Sequence, residues 1–492
     1  MGALATHKAR ELLQARGYQV IELERYAGSN KIWQTKVKRL RMPDLLCVRT
    51  GVRFEVRGKS DLEIKMSDSP NRPERFWDAG LRDNDVVIFL KVYADGGVMR
   101  VAETLNAFRV ATMRASRGTA KRGQPKSSSE GAECDLTWPA WVPGRSGCIE
   151  AAKPSATKGD RSLRVLYDNG SSYTYSNSNM TDKHPYLALG NRFPGDEFFV
   201  AGTPESMATL EASESAWNPE HDLSSANVTD QYSAVKAFYR LDLRPAIRTE
   251  LLRILQDKDV DKRVQLEAAG VLASHGVGRG LEYLSECSID KGESADWVME
   301  SVLILTELAA LPDASDALAL AANKSPHPEC RAAAAWGLGR AADGLQKLLP
   351  LLSDAEDEVA IHAVMAACSL VNDRESTKAI LSLLSSDARG AASASEVLAR
   401  SPGVDLSILL QALSGVDTDP KRSWSFASLA RRSPSEVRKH DGWEAVPDPT
   451  RKALEAAWFE GERSWLADAQ RTLSLESLAS QSLDLDSGWD PL

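Results

Sequence analysis

With 492 residues, 43% of them hydrophobic and 26% charged, the chain has a soluble globular composition and is too long for one ordinary domain. No apolar run approaches the roughly 18 residues of a membrane span, and the opening MGALATHKARELLQ has no apolar signal core, so a cytoplasmic protein is expected. The net charge of −9 hides a split: residues 1–126 hold 25 Lys+Arg against 14 Asp+Glu, and the rest hold 35 against 55. A basic head suits a polyanionic partner, whereas the acidic body suits protein contacts. The six cysteines, Cys47, Cys134, Cys148, Cys287, Cys330 and Cys368, form no C-x-x-C pair. Reduced, mostly buried thiols are therefore expected, with neither a zinc ribbon nor a disulfide framework.

The first predicted element is a helix in THKARELLQARG, capped by Thr6, striped by Ala9, Leu12, Leu13 and Ala15, and ended by Gly17. A strand from Tyr18 to Leu23 follows, then a basic connection containing Trp33. In RMPDLLCVRTGVRFEVRGKS, Arg41 to Ser60, apolar alternation predicts two strands joined by a turn at Thr50-Gly51. DVVIFLKVY, Asp85 to Tyr93, reads as a buried strand, which completes an α/β head over residues 1–113. The polar, basic, Gly/Ser-rich segment 114–133 reads as a flexible linker. Residues 134–228 read as a small β-rich domain with a hairpin turn at Asp168-Asn169-Gly170. Its Trp138, Trp141, Tyr173 and Tyr175 suit the core of a small barrel better than a ligand surface.

From about residue 229 to 415 the chain becomes a series of Ala/Leu-rich helices. The anchors Val264, Val298, Cys330 and Val359 recur at spacings of 34, 32 and 29, and LLPLLSD and LSLLSSD end 33 apart, at Asp354 and Asp387. A period near 30 with small residues inside each helix predicts a stacked α-solenoid, and it resembles short HEAT-type repeats. Residues 416–492, with Trp424, Trp443, Trp458 and Trp465, read as a helical cap with an acidic tail.

The chemistry is concentrated in the two paired strands. Side chains alternate along a strand, so Glu55, Arg57 and Lys59 share one face, with Asp44 at the head of the neighbouring strand. Two carboxylates held close together repel unless a cation lies between them, and Mg²⁺ takes such oxygen ligands readily. A metal held there can activate water against a phosphodiester, and a nearby cation can offset the charge that develops on phosphate. The arrangement resembles the PD-(D/E)xK nuclease superfamily: Pro43-Asp44 supply the PD, and Glu55 follows on the next strand. The resemblance implies a restriction-endonuclease-like α/β head, with Asp44 and Glu55 as ligands to Mg²⁺ or Mn²⁺ and DNA as substrate, RNA being the alternative. Arg57 stands where the family has lysine; it is a poor base, so Lys59 is the candidate to take over. Glu11 is the candidate for a further acid from the first helix. Lys31, Lys36, Lys38, Arg39, Arg41, Lys65, Arg72 and Arg75 are the candidate phosphate contacts.

The expected whole is multidomain α/β plus α: a metal-dependent DNA endonuclease in bacterial genome defence or DNA repair, with a solenoid that binds a protein partner or regulates the head. A non-catalytic nucleic-acid-binding scaffold and a protein-assembly adaptor are the alternatives. No H-E-x-x-H, G-x-x-x-x-G-K-[ST] or G-x-S-x-G pattern occurs, so zincin, nucleotide-cofactor and serine-hydrolase chemistries have no motif.

Overall fold

A computed structural model describes residues 1–23, 32–37, 40–60, 64–69, 71–103, 105–115, 117, 120–126, 133–138, 146–154, 161–167, 170–175, 197–199, 217–415 and 419–472. Its backbone forms two compact units, Met1–Gly280 and Leu281–Leu492. The first unit therefore holds the α/β head together with the opening helices of the helical series, where a boundary at 228/229 was expected.

In the head, helix α1 (Gly2–Gln14) is capped at Met1 and starts five residues earlier than the Thr6 cap predicts. Thr6 lies inside it, its hydroxyl donating to the Gly2 carbonyl at 3.2 Å. Gly17 does end the helix: it takes φ +85°, and Tyr18 N donates back to Leu13 O at 3.1 Å. Five principal strands follow in the main sheet: β1 (Val20–Glu22), β2 (Leu45–Cys47), β3 (Arg53–Lys59), β5 (Val86–Asp95) and β6 (Val98–Val101), in that spatial order. A further strand, β7 (Asn106–Arg109), pairs with the first half of β5. β1, β2 and β3 run antiparallel, whereas β3 and β5 are parallel. Ala5, Ala9 and Leu13 of α1 pack on the even face of β3, Phe54 and Val56, in a core that includes Val86, Ile88 and Leu90.

Segment 114–133, expected to be a flexible linker, contributes ordered structure to the head. β8 (Lys121–Arg122) pairs with β9 (Cys134–Thr137), which pairs with β4 (Lys65–Asp68). The basic composition suggested a solvated tether, but acids of the head neutralise it. Arg114 donates to Asp78 at 2.8 Å and to Asp83 at 2.5 Å, and Arg122 reaches the fully buried Asp68 at 3.3 Å. Trp138, expected in a separate barrel, is buried against Trp77 of the head, with ring centroids 5.3 Å apart. β10 (Ser146–Pro154), β11 (Arg161–Tyr167), β12 (Ser172–Tyr175) and β13 (Glu197–Phe199) form a separate antiparallel sheet, ordered β12-β11-β10-β13. The expected hairpin joins β11 to β12; Gly170 has φ +78°, Tyr173 is exposed, and Asp168, Asn169 and Trp141 lie outside the described residues.

The head is fastened to the first helices after it by buried polar contacts. α4 (Val228–Ala237) follows the short α3 (Pro219–Asp222), and α6 (Lys262–Ser274) follows α5 (Pro245–Gln256). Lys236, 4% exposed, donates to Leu23 O at 3.1 Å and pairs with Glu267 at 3.5 Å; Tyr232 donates to Glu267 at 2.6 Å. Trp217 donates its backbone N–H to Arg49 O, and its ring covers Gly51, where a Cβ would lie 2.5 Å from it. Only glycine fits there, because Gly51 also turns the β2–β3 connection at φ +72°.

The second unit is a two-layer helical stack. Inner helices α8 (Ala295–Glu307), α10 (Pro328–Leu338), α12 (Asp357–Leu370), α14 (Ala388–Arg400) and α16 (Pro420–Ala430) pack in succession. Between them lie α9 (Pro312–Lys324), α11 (Gly344–Leu348), α13 (Arg374–Ser382) and α15 (Leu406–Ala412), each against the inner helix that follows it. The repeat anchors Val298, Cys330 and Val359 are fully buried at equivalent helix starts, as is Val264 in the first unit. Small residues set the spacing: a Cβ on Gly337 would come within 2.3 Å of Thr306 Oγ1. LLPLLSD and LSLLSSD both tighten into 3₁₀ turns, and Asp387 then caps α14 by accepting from Arg389 N and Gly390 N. At the end, buried Trp443 and Trp458 lie 5.7 Å apart, and Trp458 Nε1 donates to Leu429 O. The acidic tail and the side chain of Trp465 are outside the described residues.

Two measurements test this packing. Replacing fully buried Asp85 by alanine leaves the equally buried Arg53 without its carboxylate, and denaturant titration should show a loss of about 3–5 kcal/mol. In native thiol labelling, exposed Cys148 should react first, while Cys330, whose thiol burial pushes up to about 12, should react only on unfolding.

Candidate active site on the open edge of β3

The pairing of β2 with β3 covers only Leu45 with Phe54 and Leu46 with Arg53. One step further along the same register, Asp44 stands opposite Glu55. The strand does not continue there, and the Asp44 carboxylate replaces it: Oδ2 accepts the Val56 backbone N–H at 2.7 Å. That bond holds one carboxylate against the edge of the strand that carries the other. Glu55, its side chain 14% exposed, is met at Oε1 by Arg57 Nη2 at 2.6 Å, across one pleat of the same face. The guanidinium offsets the repulsion between two neighbouring carboxylates, while its own Nε is buried without a hydrogen-bond partner.

These groups line a cavity of about 650 Å³ with Leu40, Arg41, Met42, Trp77, Ala79 and Leu81 on its walls. Gly2, Ala3 and Thr6 bring the first turn of α1 to its rim. That turn has no acidic residue and no side-chain cap, so no side chain of its own offsets the positive end of the helix dipole at that rim. Gly58 permits the approach: a Cβ there would lie 3.0 Å from Ala5 Cβ and 3.1 Å from Met1 O. The cavity combines two carboxylates with a guanidinium and a helix N-terminus, a set that can hold a hard cation and an anion side by side.

The structure brings together Asp44, Glu55, Arg57 and Arg41 from the residues that the sequence singles out. Glu11 is not among the lining residues. Its half-exposed carboxylate pairs with His7 and Lys8 at 3.2 and 3.5 Å, because the helix starts at Gly2 and its first turn, not residue 11, reaches the cavity. Lys59 ends β3 in register with Lys91 and also lies off the cavity lining, so no lysine reaches the lining among the described residues. Lys36 donates to Trp33 O at 2.5 Å, Lys65 belongs to the small β4–β9–β8 sheet, and Arg72 precedes and Arg75 ends a 3₁₀ turn. Lys31, Lys38 and Arg39 lie outside the described residues. Trp77 packs against Trp138 and also lines the cavity; nothing in the local sequence signals that second role. Arg53, outside the candidate set, is marked in the sequence only by its place two residues before Glu55 in the alternating run Arg53, Glu55, Arg57.

Gly58→Val should therefore push α1 away from β3. A loss of about 1–3 kcal/mol by thermal or denaturant unfolding is expected, with altered exchange of the Gly2–Thr6 amides.

Compared with known proteins, the chain matches no protein-family model and no curated protein. Among solved structures, a crystal structure of an engineered protein aligns at 18% identity over 49% of this chain and 87% of its own length, with a TM-score of 0.19. A mutant of Kap121p aligns at 13% identity over 53% of this chain, with a TM-score of 0.31, and the chain covers 32% of that protein.

Proposed function

We propose that the head is a metal-dependent nuclease that hydrolyses phosphodiester bonds in DNA, of the PD-(D/E)xK kind. One observation carries the reading: the antiparallel register sets Asp44 opposite Glu55 in a cavity that also holds Arg57. Mg²⁺ commonly binds through one or two carboxylates, water and substrate phosphate, and this donor set is of that sparse kind. Asp44 and Glu55, which line the cavity together, would be its protein ligands. When bound, the ion supplies an activated water and positive charge at the phosphate. Asp44, fixed by Val56 N, keeps its position without rotamer search. Arg57 orients Glu55 and presents a permanent cation to the phosphate oxygens, and the first turn of α1 adds partial positive charge from the other side. Arg41 lines the same cavity as a further phosphate contact. The acidic helical stack, built as repeats, is the surface for a protein partner, and genome defence or repair is the setting such a combination suits.

A second reading has its own support. The lysine of the nuclease pattern is absent from the cavity lining, and the arginine in its place is tied to Glu55. A site so arranged would hold nucleic acid without cutting it, as part of a scaffold.

Cleavage of plasmid and single-stranded DNA in Mg²⁺ or Mn²⁺ separates the two. Wild type should cut, and Asp44→Ala and Glu55→Gln should each lose about 100-fold or more while DNA retention in a filter assay persists. DNA retention with no cleavage by wild type would establish the scaffold reading. Neither binding nor cleavage would remove both.

A further inference from the structure

The wall of the cavity formed by Ala79 and Leu81 is held from outside the head. Between those residues, Gly80 takes φ +77° and fits so tightly that a Cβ would lie 1.8 Å from Arg41 O. Gly80 O accepts from Arg53 Nη2 at 3.0 Å. Arg53, fully buried, also grips fully buried Asp85 through Nε at 3.1 and 3.2 Å and through Nη2 at 2.7 Å. Asp85 Oδ2 in turn accepts Arg82 N at 2.7 Å, which closes the loop 80–85 upon itself. The remaining donors point to helix α4. Arg53 Nη1 reaches Thr229 Oγ1 at 3.5 Å and Asp230 Oδ1 at 3.8 Å, and Arg82 Nε donates to Asp230 at 2.9 Å, with Nη2 on the same oxygen.

We propose that Asp230 is a positioning residue for the cavity: by holding Arg82 and Arg53, the first long helix after the β-rich segment keeps the Ala79–Arg82 wall in place. Through Arg53 the same contact reaches the start of β3, two residues before Glu55. Any event that lifts α4 from the head loosens both sides of the site together. The consequence for catalysis rests on the nuclease reading above; the consequence for the wall does not. The sign is opposite to that expected of an acidic module competing for the DNA site. Asp230 engages Arg82 and Arg53, which do not line the cavity, and leaves Arg41 and Arg57 to it.

The test uses the full chain, with Asp230→Asn, Arg82→Gln and the double variant, and Asp448→Asn in α18 (Asp448–Thr472) as a control on an exposed acid of the second unit. Hydrogen exchange of peptides covering 79–85 and 53–57 is measured beside Mg²⁺-dependent DNA cleavage. Each single variant should speed exchange in both segments by about tenfold, with exchange of Ile88–Leu90 in β5 unchanged, and the double variant should add little. Cleavage should fall in parallel, with kcat affected more than KM. Unchanged exchange in Asp230→Asn, or an equal rise throughout the head, overturns the proposal, the latter by showing general destabilisation. If wild type does not cleave, the nuclease reading falls, and the exchange pattern still decides whether Asp230 positions the wall.

Discussion

One buried ion pair organises the head. Arg53 and Asp85 are both fully buried, and a charge taken from water is tolerable only where partners replace its hydration. Here the replacement is nearly complete: the guanidinium meets a carboxylate from two sides, a backbone carbonyl and a threonine hydroxyl, and the carboxylate also accepts a backbone N–H. Together with Arg53 itself, those partners bring together three segments distant in sequence. Satisfying one side chain thus fixes the start of β3, the loop before β5 and the first turn of α4 relative to one another. A hydrophobic pair could fill the same volume, but it would not dictate direction; the planar fork of an arginine does.

The site inherits its precision from that arrangement. Asp44 and Glu55 oppose each other because the β2–β3 register is pinned, at one end by the Gly51 turn under Trp217 and at the other by the Val56 N–H bond. The strand face then alternates a structural arginine, a carboxylate and a second arginine, each two residues apart. Structural and chemical duties are shared along seven residues of one strand, so few positions in β3 tolerate exchange.

Much of this was legible in the sequence, and the legible part is local. Alternation in LLC and RFEVRGK gave the strands and their shared face, and the Thr50-Gly51 turn gave the register. The period near 30 in the helical region gave the stack, because each anchor valine or cysteine must be buried for neighbouring repeats to meet. What was missed depends on contacts between distant segments. The basic stretch from Arg114 has a linker's composition, and only the placement of Asp68, Asp78 and Asp83 turns it into part of the fold. Likewise, the cavity walls at Trp77 and Leu81 carry no chemical pattern. Glu11 failed for a simpler reason: the true helix start changed which turn of α1 meets the sheet.

The short pairing of β2 has one more consequence. Beyond Glu55, no strand among the described residues continues the β2-side pairing of β3 in that register, and an open sheet edge is a template for association with other chains. Asp44 occupies the first bonding position on that edge with a charged group that no incoming strand can stack upon, and Arg57 places a second charge beyond it. The residues that make the cavity polar thereby serve as gatekeepers, discouraging strand addition and aggregation at the edge where the sheet would otherwise be most adhesive.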